Sequence, residues 1–180
     1  PAPVPYLPPR AAAARWARRL PPTSAGTPRI GVAWSGNPCH ENDRRRSIPL
    51  ALFSSLVSGR DGVLFCLQTE TRPADRAQMG MLPNLVDLAP DIGDFADTAA
   101  IIGNLDLVIA VDTSIAHLAG ALGKPVWLLL PFVPDWRWLL NRDDSPWYPG
   151  MRLFRQSAPG DWAGVLRRVA DALRRDCDMV

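Results

Sequence analysis

From Arg29 onward, short apolar runs alternate with amphipathic stretches. Residues 30–34 (Ile-Gly-Val-Ala-Trp) read as a strand with both faces apolar, and 63–67, 107–111 and 126–130 repeat the pattern. Weaker strands are predicted at 85–88 and 152–154. Between them the spacing predicts helices over 49–57, 73–79, 94–105, 114–122 and 162–174. Ser47 before Pro49 is a plausible cap and first-turn pair, and Thr113 is the corresponding cap of the 114–122 helix. Gly123 closes that helix and Pro125 begins the next strand. Strands apolar on both faces and separated by helices build a parallel sheet covered on each side. Right-handed crossovers then give a doubly wound, Rossmann-like α/β domain of about six strands.

Residues 1–28 do not fit this rhythm. Pro1, Pro3, Pro5, Pro8 and Pro9 exclude a helix interior or a central strand. A short Arg-rich helix follows over 11–20, with Trp16 and Leu20 on one side, and then a second loop. The expected organisation is a proline-rich connector with a short helix at 1–28, leaning on an α/β domain at 29–176.

At 180 residues the chain suits one domain with a sizeable core. An apolar share of 47% and a charged share of 21% exclude disorder, collagen and coiled coil as the main answer. No window holds ~18 uncharged apolar residues, so no membrane span is expected. The chain opens on Pro1 without a basic and then apolar leader, which points to a cytoplasmic piece of a longer protein. Cys39, Cys66 and Cys177 form no CxxC pair and read as reduced thiols.

Charge changes the picture. The net value is only +2, but residues 1–60 carry nine Arg against Glu41 and Asp43. Such a basic third suits an anionic partner. Nucleic acid is the poorer candidate, because the Arg44–Arg46 run is short and no aromatic residues alternate with it. A small phosphorylated ligand fits better.

In open α/β sheets, ligands bind at the carboxyl ends of strands where the strand order reverses. With order 3-2-1-4-5-6 the reversal lies between strands one and four. It joins the loop 35–47 to Asp112-Thr113-Ser114. There the chain passes from strand to helix with almost no loop, and the free N–H groups of a first helical turn make an anion site. His117 lies four residues after Thr113, one turn along the same face. The same residues also read as ordinary capping chemistry above a core histidine. A helix N-terminus contributes roughly 0.3–1 kcal/mol to anion binding, at most about 2. Micromolar affinity needs about 8 kcal/mol. Charge-assisted bonds of about 1.5–3 kcal/mol each draw in Arg44, Arg45 and Arg46, which are otherwise a solvated basic turn. Ser35-Gly36-Asn37 opens the loop, and Gly36 permits close backbone approach.

Other phosphate and catalytic motifs fail. Gly31 and Gly36 have P-loop spacing, but Asn37-Pro38 stands where Lys-Ser/Thr is required. There is no GxGxxG, no GxSxG elbow and no metal-ligand spacing, since Cys39 and His40 are adjacent. Trp147 and Tyr148 read as packing residues after the fifth strand. Trp136 and Trp138 read equally well as packing or as a stacking surface.

Several segments together resemble the C-terminal domain of GT-B glycosyltransferases. They are Gly31-Val-Ala-Trp-Ser-Gly-Asn37, the turn from Asn42 to Pro49, Asp94-Phe-Ala-Asp-Thr98, Asp112-Thr-Ser-Ile-Ala-His-Leu-Ala-Gly-Ala-Leu-Gly-Lys-Pro125 and Asp135-Trp-Arg-Trp138. The type is glycosyltransferase family 9, heptosyltransferase-like, in the version fused to bacterial tetratricopeptide-repeat proteins. The likeness spans residues 29–173, and the Asp-Thr-x-x-x-His-Leu-Ala segment is its most specific part.

The resemblance implies the donor-binding half of a metal-independent inverting glycosyltransferase. A nucleotide-diphosphate sugar is its substrate, and no cofactor is required. Thr113 and Ser114 would hold the diphosphate, with Arg46 as the basic phosphate ligand and Arg44 close by. Ser35, Gly36, Asn37 and Asp112 would border the donor. Gln68, with Glu70, would lie near the ribose, and Asp94 and Phe95 beside the base. His117 matches the motif histidine. Relatives often carry Lys in the first loop, where this chain has only Arg. No catalytic residue is assigned. The general base would sit on a missing N-terminal domain, which also binds the acceptor, so the chain alone would bind donor and turn over little. Two alternatives stay open: a sugar-nucleotide epimerase-like isomerase, and a non-catalytic scaffold or nucleotide-binding domain.

Overall fold

A computed structural model describes residues 5, 12–23, 26–58 and 62–177. Of the prolines expected to keep the start extended, Pro1, Pro3, Pro8 and Pro9 lie outside the described residues. The strands are β1 (Ile30–Ala33), β2 (Leu64–Cys66), β3 (Leu85–Asp87), β4 (Leu107–Val111), β5 (Val126–Leu130) and β6 (Met151–Arg155). They form a single six-stranded sheet in the order β3-β2-β1-β4-β5-β6, with every neighbouring pair parallel. This is the doubly wound arrangement expected from the apolar pattern, and β1 and β4 meet at its reversal. Ile30 pairs with Leu64 on one side and Leu107 on the other, which sets the register of the centre.

Burial explains which strands were weak in sequence. β1, β2 and β5 are buried along their whole length, whereas β3 and β6 each carry an exposed position and occupy the two edges. An edge strand has one unshielded side and tolerates polar residues such as Asp87 and Arg152.

Successive side chains point to opposite faces, and each face receives its own helices. Val32, Cys66, Ile109 and Leu129 face one core, which is completed by α3 (Leu50–Ser58) and α7 (Trp162–Cys177). Ala33, Phe65, Val108, Ala110 and Leu128 face the other, beneath α5 (Phe95–Gly103) and α6 (Ser114–Ala121).

The first helix, α1 (Ala12–Arg19), packs on α5. Trp16 is buried there, and its Nε1 donates to Asp97 Oδ1 at 3.0 Å. Arg15 pairs with the same carboxylate, Arg19 pairs with Asp91, and Asn104 Nδ2 donates to the Ala13 carbonyl at 2.9 Å.

Two local expectations are corrected. The loop after β1 contains a one-turn helix, α2 (Asp43–Arg46), too short for any periodic signal. Ser47 does not cap α3 (Leu50–Ser58); it follows α2 as its C-cap, and its hydroxyl donates to Asp43 Oδ1 at 2.7 Å. The N-terminal amide of α3 is met instead by Asp75, on α4 (Pro73–Met79): Leu50 N donates to Asp75 Oδ1 at 3.3 Å. Asp75 is held in turn by Trp34 Nε1 at 2.9 Å. No helix among the described residues is long and apolar enough to cross a membrane.

Candidate functional site

The carboxyl ends of β1 and β4 open into a cleft with two basins. The first has a volume of about 500 Å³ and is bordered by Ser35-Gly36-Asn37 after β1, Gln68-Thr69-Glu70 after β2, and Gly93-Asp94-Phe95 at the start of α5. The second, of about 380 Å³, is bordered by His40, Asn42 and Arg45, by Asp112 and His117, and by Asp135 and Arg137 after β5. Arg46, Thr113 and Ser114 line both basins and form the ridge between them.

The ridge is held by backbone geometry. Arg46 is 15% exposed at its side chain, and its Nη1 donates to the Asp112 carbonyl at 2.8 Å. The guanidinium lies flat against Gly36, where a Cβ would stand 2.6 Å from Nη2. Only glycine leaves room for it. The Gly36 amide donates to Ser47 Oγ at 3.0 Å, which fixes the turn in this close approach.

Thr113 occupies the N-cap position of α6 with extended backbone (φ −142, ψ 170), but its hydroxyl makes no capping bond. Thr113 Oγ1 is shielded and has no hydrogen-bond partner. A hydroxyl so placed is costly unless something else meets it. The amides of Ser114 and Ile115 find no acceptor within their own helix, as at any helix start. The first intrahelical bond at this end runs from Ala116 N to the Thr113 carbonyl at 3.1 Å.

His117 sits one turn below, in the second basin. Its Nδ1 is 3.1 Å from the Tyr148 hydroxyl, and its Nε2 is 3.7 Å from Asp112 Oδ1. The ring stacks on Trp138, with centroids 5.2 Å apart and planes 28° apart. Burial pushes its pKa below the ordinary histidine value. Asp112 opposes that shift and Arg137 adds to it.

The remaining sequence-derived candidates divide. Gln68 borders the first basin but is buried, and its polar atoms serve the end of β1. Oε1 accepts from Trp34 N at 2.6 Å and Ser35 N at 2.8 Å, while Nε2 donates to Ser35 Oγ at 2.9 Å. The neighbouring Glu70 is exposed on the same wall. Asp94 caps α5, accepting from Ala96 N at 2.8 Å and Asp97 N at 2.9 Å. Phe95 is 61% exposed at the rim. Asn37 lines the first basin, and its Oδ1 accepts from Cys39 N at 2.8 Å.

Arg44 is not brought to either basin; Arg45 is. Residues two apart on a helical turn project in nearly opposite directions, so Arg44 and Arg46 cannot face one cleft. The two Trp residues left open by the sequence separate cleanly. Trp138 is fully buried under His117, whereas Trp136 is 71% exposed with the Arg137 guanidinium 5.1 Å from its ring. Tyr148 packs against Gly120 of α6, as a packing residue would.

Sequence reasoning missed the buried Asp43, the half-buried Asp135 and the exposed Arg137. A lone carboxylate ahead of three arginines carries no spacing signal, and the Asp135–Arg137 pair, at 2.8 Å, is ordinary turn chemistry. Cys39 is exposed, and burial pushes the Cys66 thiol up to about 12. Among the described residues no three His, Cys, Asp or Glu side chains come together as a metal site.

Over 168 residues the chain is 29% identical to Protein FlbA of Caulobacter vibrioides, covering 89% of this chain and 27% of FlbA. Its structure is similar to that of the E. coli ADP-heptose LPS heptosyltransferase II, with a TM-score of 0.62 at 17% identity, over 99% of this chain and 56% of that one. The chain therefore spans about a quarter of the one relative's length and about half of the other's. Residues 57–129, which include α5, β4, the Thr113–Ser114 ridge and α6, match the model of Glycosyltransferase family 9 (heptosyltransferase), so this chain carries a family 9 glycosyltransferase-like segment on a heptosyltransferase-type fold.

Proposed function

We propose that this chain is the donor-binding half of an inverting, metal-independent glycosyltransferase and one part of a longer, repeat-containing bacterial protein. One observation carries the reading: a guanidinium and an unpartnered hydroxyl converge with a helix N-terminus on the ridge shared by two basins. A nucleotide-diphosphate sugar has the matching three-part shape. Its nucleoside fits the first basin, with the base beside Asp94 and the exposed ring of Phe95, and Glu70 within the wall nearest the ribose. Its diphosphate fits the ridge, and its glycosyl group extends into the second basin toward Asp112 and His117.

The chemistry follows from where charge develops. As the bond from the anomeric carbon to the diphosphate breaks, negative charge grows on the leaving β-phosphate oxygen. Arg46, the Thr113 hydroxyl and the amides at the start of α6 are the donors the ridge offers to that charge, and donors held in place lower the barrier. The acceptor hydroxyl must lose its proton to a base, which this reading places on the other half of the enzyme, together with the acceptor site.

Calorimetric titration with UDP, GDP, ADP and their sugars tests the proposal. Heat from one nucleotide series, lost in Arg46→Ala and Thr113→Ala, supports it. A folded chain that takes up none of them at millimolar concentration is a scaffold instead.

A further inference from the structure

Asp43 lines neither basin and is only 4% exposed, yet its carboxylate ties together the segments on the Arg46 side of the ridge. Oδ1 accepts the Ser47 hydroxyl at 2.7 Å, and Ser47 Oγ in turn accepts the Gly36 amide at 3.0 Å. The same Oδ1 lies 3.8 Å from Arg46 Nε, which is shielded and has no hydrogen-bond partner of its own. Oδ2 pairs with Arg72, from the loop between β2 and α4. The Arg46 guanidinium is thus held by one hydrogen bond and by one longer ion pair. Nη1 rests on the Asp112 carbonyl, and Nε faces Asp43.

We infer that Asp43 is a positioning residue for pyrophosphate recognition, acting through Arg46. This rests on the reading of the ridge as a diphosphate site. Two effects oppose each other, so the sign of a substitution decides. By charge alone, a carboxylate beside an anion site repels the anion, and removing it would tighten binding. By position, losing Asp43 frees a long side chain that must be re-ordered at each binding event. The charge effect is small, because Asp43 lines neither basin and stands behind the guanidinium groups it pairs with. Asp43 is also matched by two guanidinium groups, so the cluster remains cationic. The positional effect therefore wins, and Asp43 helps an anion to bind although it is itself negative.

The test uses the full chain with inorganic pyrophosphate as the probe. Side-chain Nε–H exchange of Arg46 is followed by NMR in the ligand-free protein, the signal being identified by its absence in Arg46→Gln. Asp43→Asn is expected to weaken pyrophosphate binding by about threefold, less than the loss of a charge-assisted hydrogen bond because the Asp43–Arg46 contact is an ion pair at 3.8 Å, and to speed Arg46 Nε–H exchange. Arg72→Gln releases Asp43 from the more exposed side and should move both readouts in the same direction by less, which covers the case that Asp43→Asn does not fold. Tighter or unchanged pyrophosphate binding with unchanged exchange would overturn the inference. If the wild-type chain bound no pyrophosphate, the reading of the ridge would fail, and the exchange comparison would still decide whether Asp43 orients Arg46.

Discussion

Arg46 Nη1 donates to the carbonyl oxygen of Asp112 at 2.8 Å, tying the turn after β1 to the end of β4. The bond crosses the point at which the sheet reverses its order, and it neutralises a carbonyl that would otherwise repel an anion there. Arg46 therefore has a structural and a binding role in one guanidinium. Arg46→Lys keeps the charge but loses the planar fork that reaches the carbonyl and a phosphate together. Nucleotide affinity should fall by about 1.5–3 kcal/mol in Arg46→Ala, and Arg46→Lys should recover only part of it. Calorimetry on both variants checks this.

Thr113→Val separates ligand binding from stability. The hydroxyl has no partner to lose, so its removal should leave the urea midpoint of the chain unchanged or slightly raised. Donor affinity should fall by about 1 kcal/mol, one neutral hydrogen bond. A fall in the urea midpoint with unchanged affinity would place the hydroxyl in the fold rather than in the site.

His117 makes stability pH-dependent in a defined direction. Burial lowers its folded pKa below the 6.5 of the free side chain, so the unfolded chain takes up a proton first as pH falls. Its stabilising share is present above pH 6.5 and declines as pH drops from 6.5 toward the lowered value. The urea midpoint should decrease across this window in the wild type and decrease less in His117→Gln. Equal slopes would mean that other groups set the dependence.

The two described thiols should differ in reactivity. Cys39 is exposed, whereas Cys66 lies in the core with its thiol pushed up to about 12. Thiolate is the reactive form. In a Cys177→Ser background, iodoacetamide at pH 8 should modify Cys39 in the native chain and Cys66 only after unfolding, as mass spectrometry would show.

The sheet was legible because its evidence is distributed: six apolar runs alternate with helical stretches, and Thr113, Gly123 and Pro125 punctuate the passage from the fourth to the fifth. The ridge was half legible. Asp112-Thr113-Ser114 is contiguous, so sequence alone brings its groups together. Arg46 had to be chosen among three adjacent arginines, and α2, which decides between them, is one turn long. The resemblance implies a place near the ribose for Gln68; that its amide also holds Trp34 and Ser35, a partnership 33 and 34 residues distant in sequence, was not legible. Trp16 was read as the apolar side of a connector helix. That its Nε1 and the Gly93 amide would share Asp97, fixing the wall of the first basin and holding that carboxyl below its usual range, depended on tertiary placement.

Helix α1 offers a stability prediction of its own. Trp16→Ala removes a fully buried indole and should cost about 3–5 kcal/mol, lowering the urea midpoint. Because the Gly93 segment borders the first basin, nucleoside affinity should fall as well in the fraction that stays folded.

Phosphorus NMR of a bound nucleoside diphosphate gives the most direct view of the ridge. With the wild-type chain, the β-phosphorus resonance should shift on binding, and Arg46→Ala should abolish that shift while base-proton contacts with the first basin persist. Base-proton contacts without any phosphorus shift in the wild type, or the same phosphorus shift in Arg46→Ala, would contradict the account.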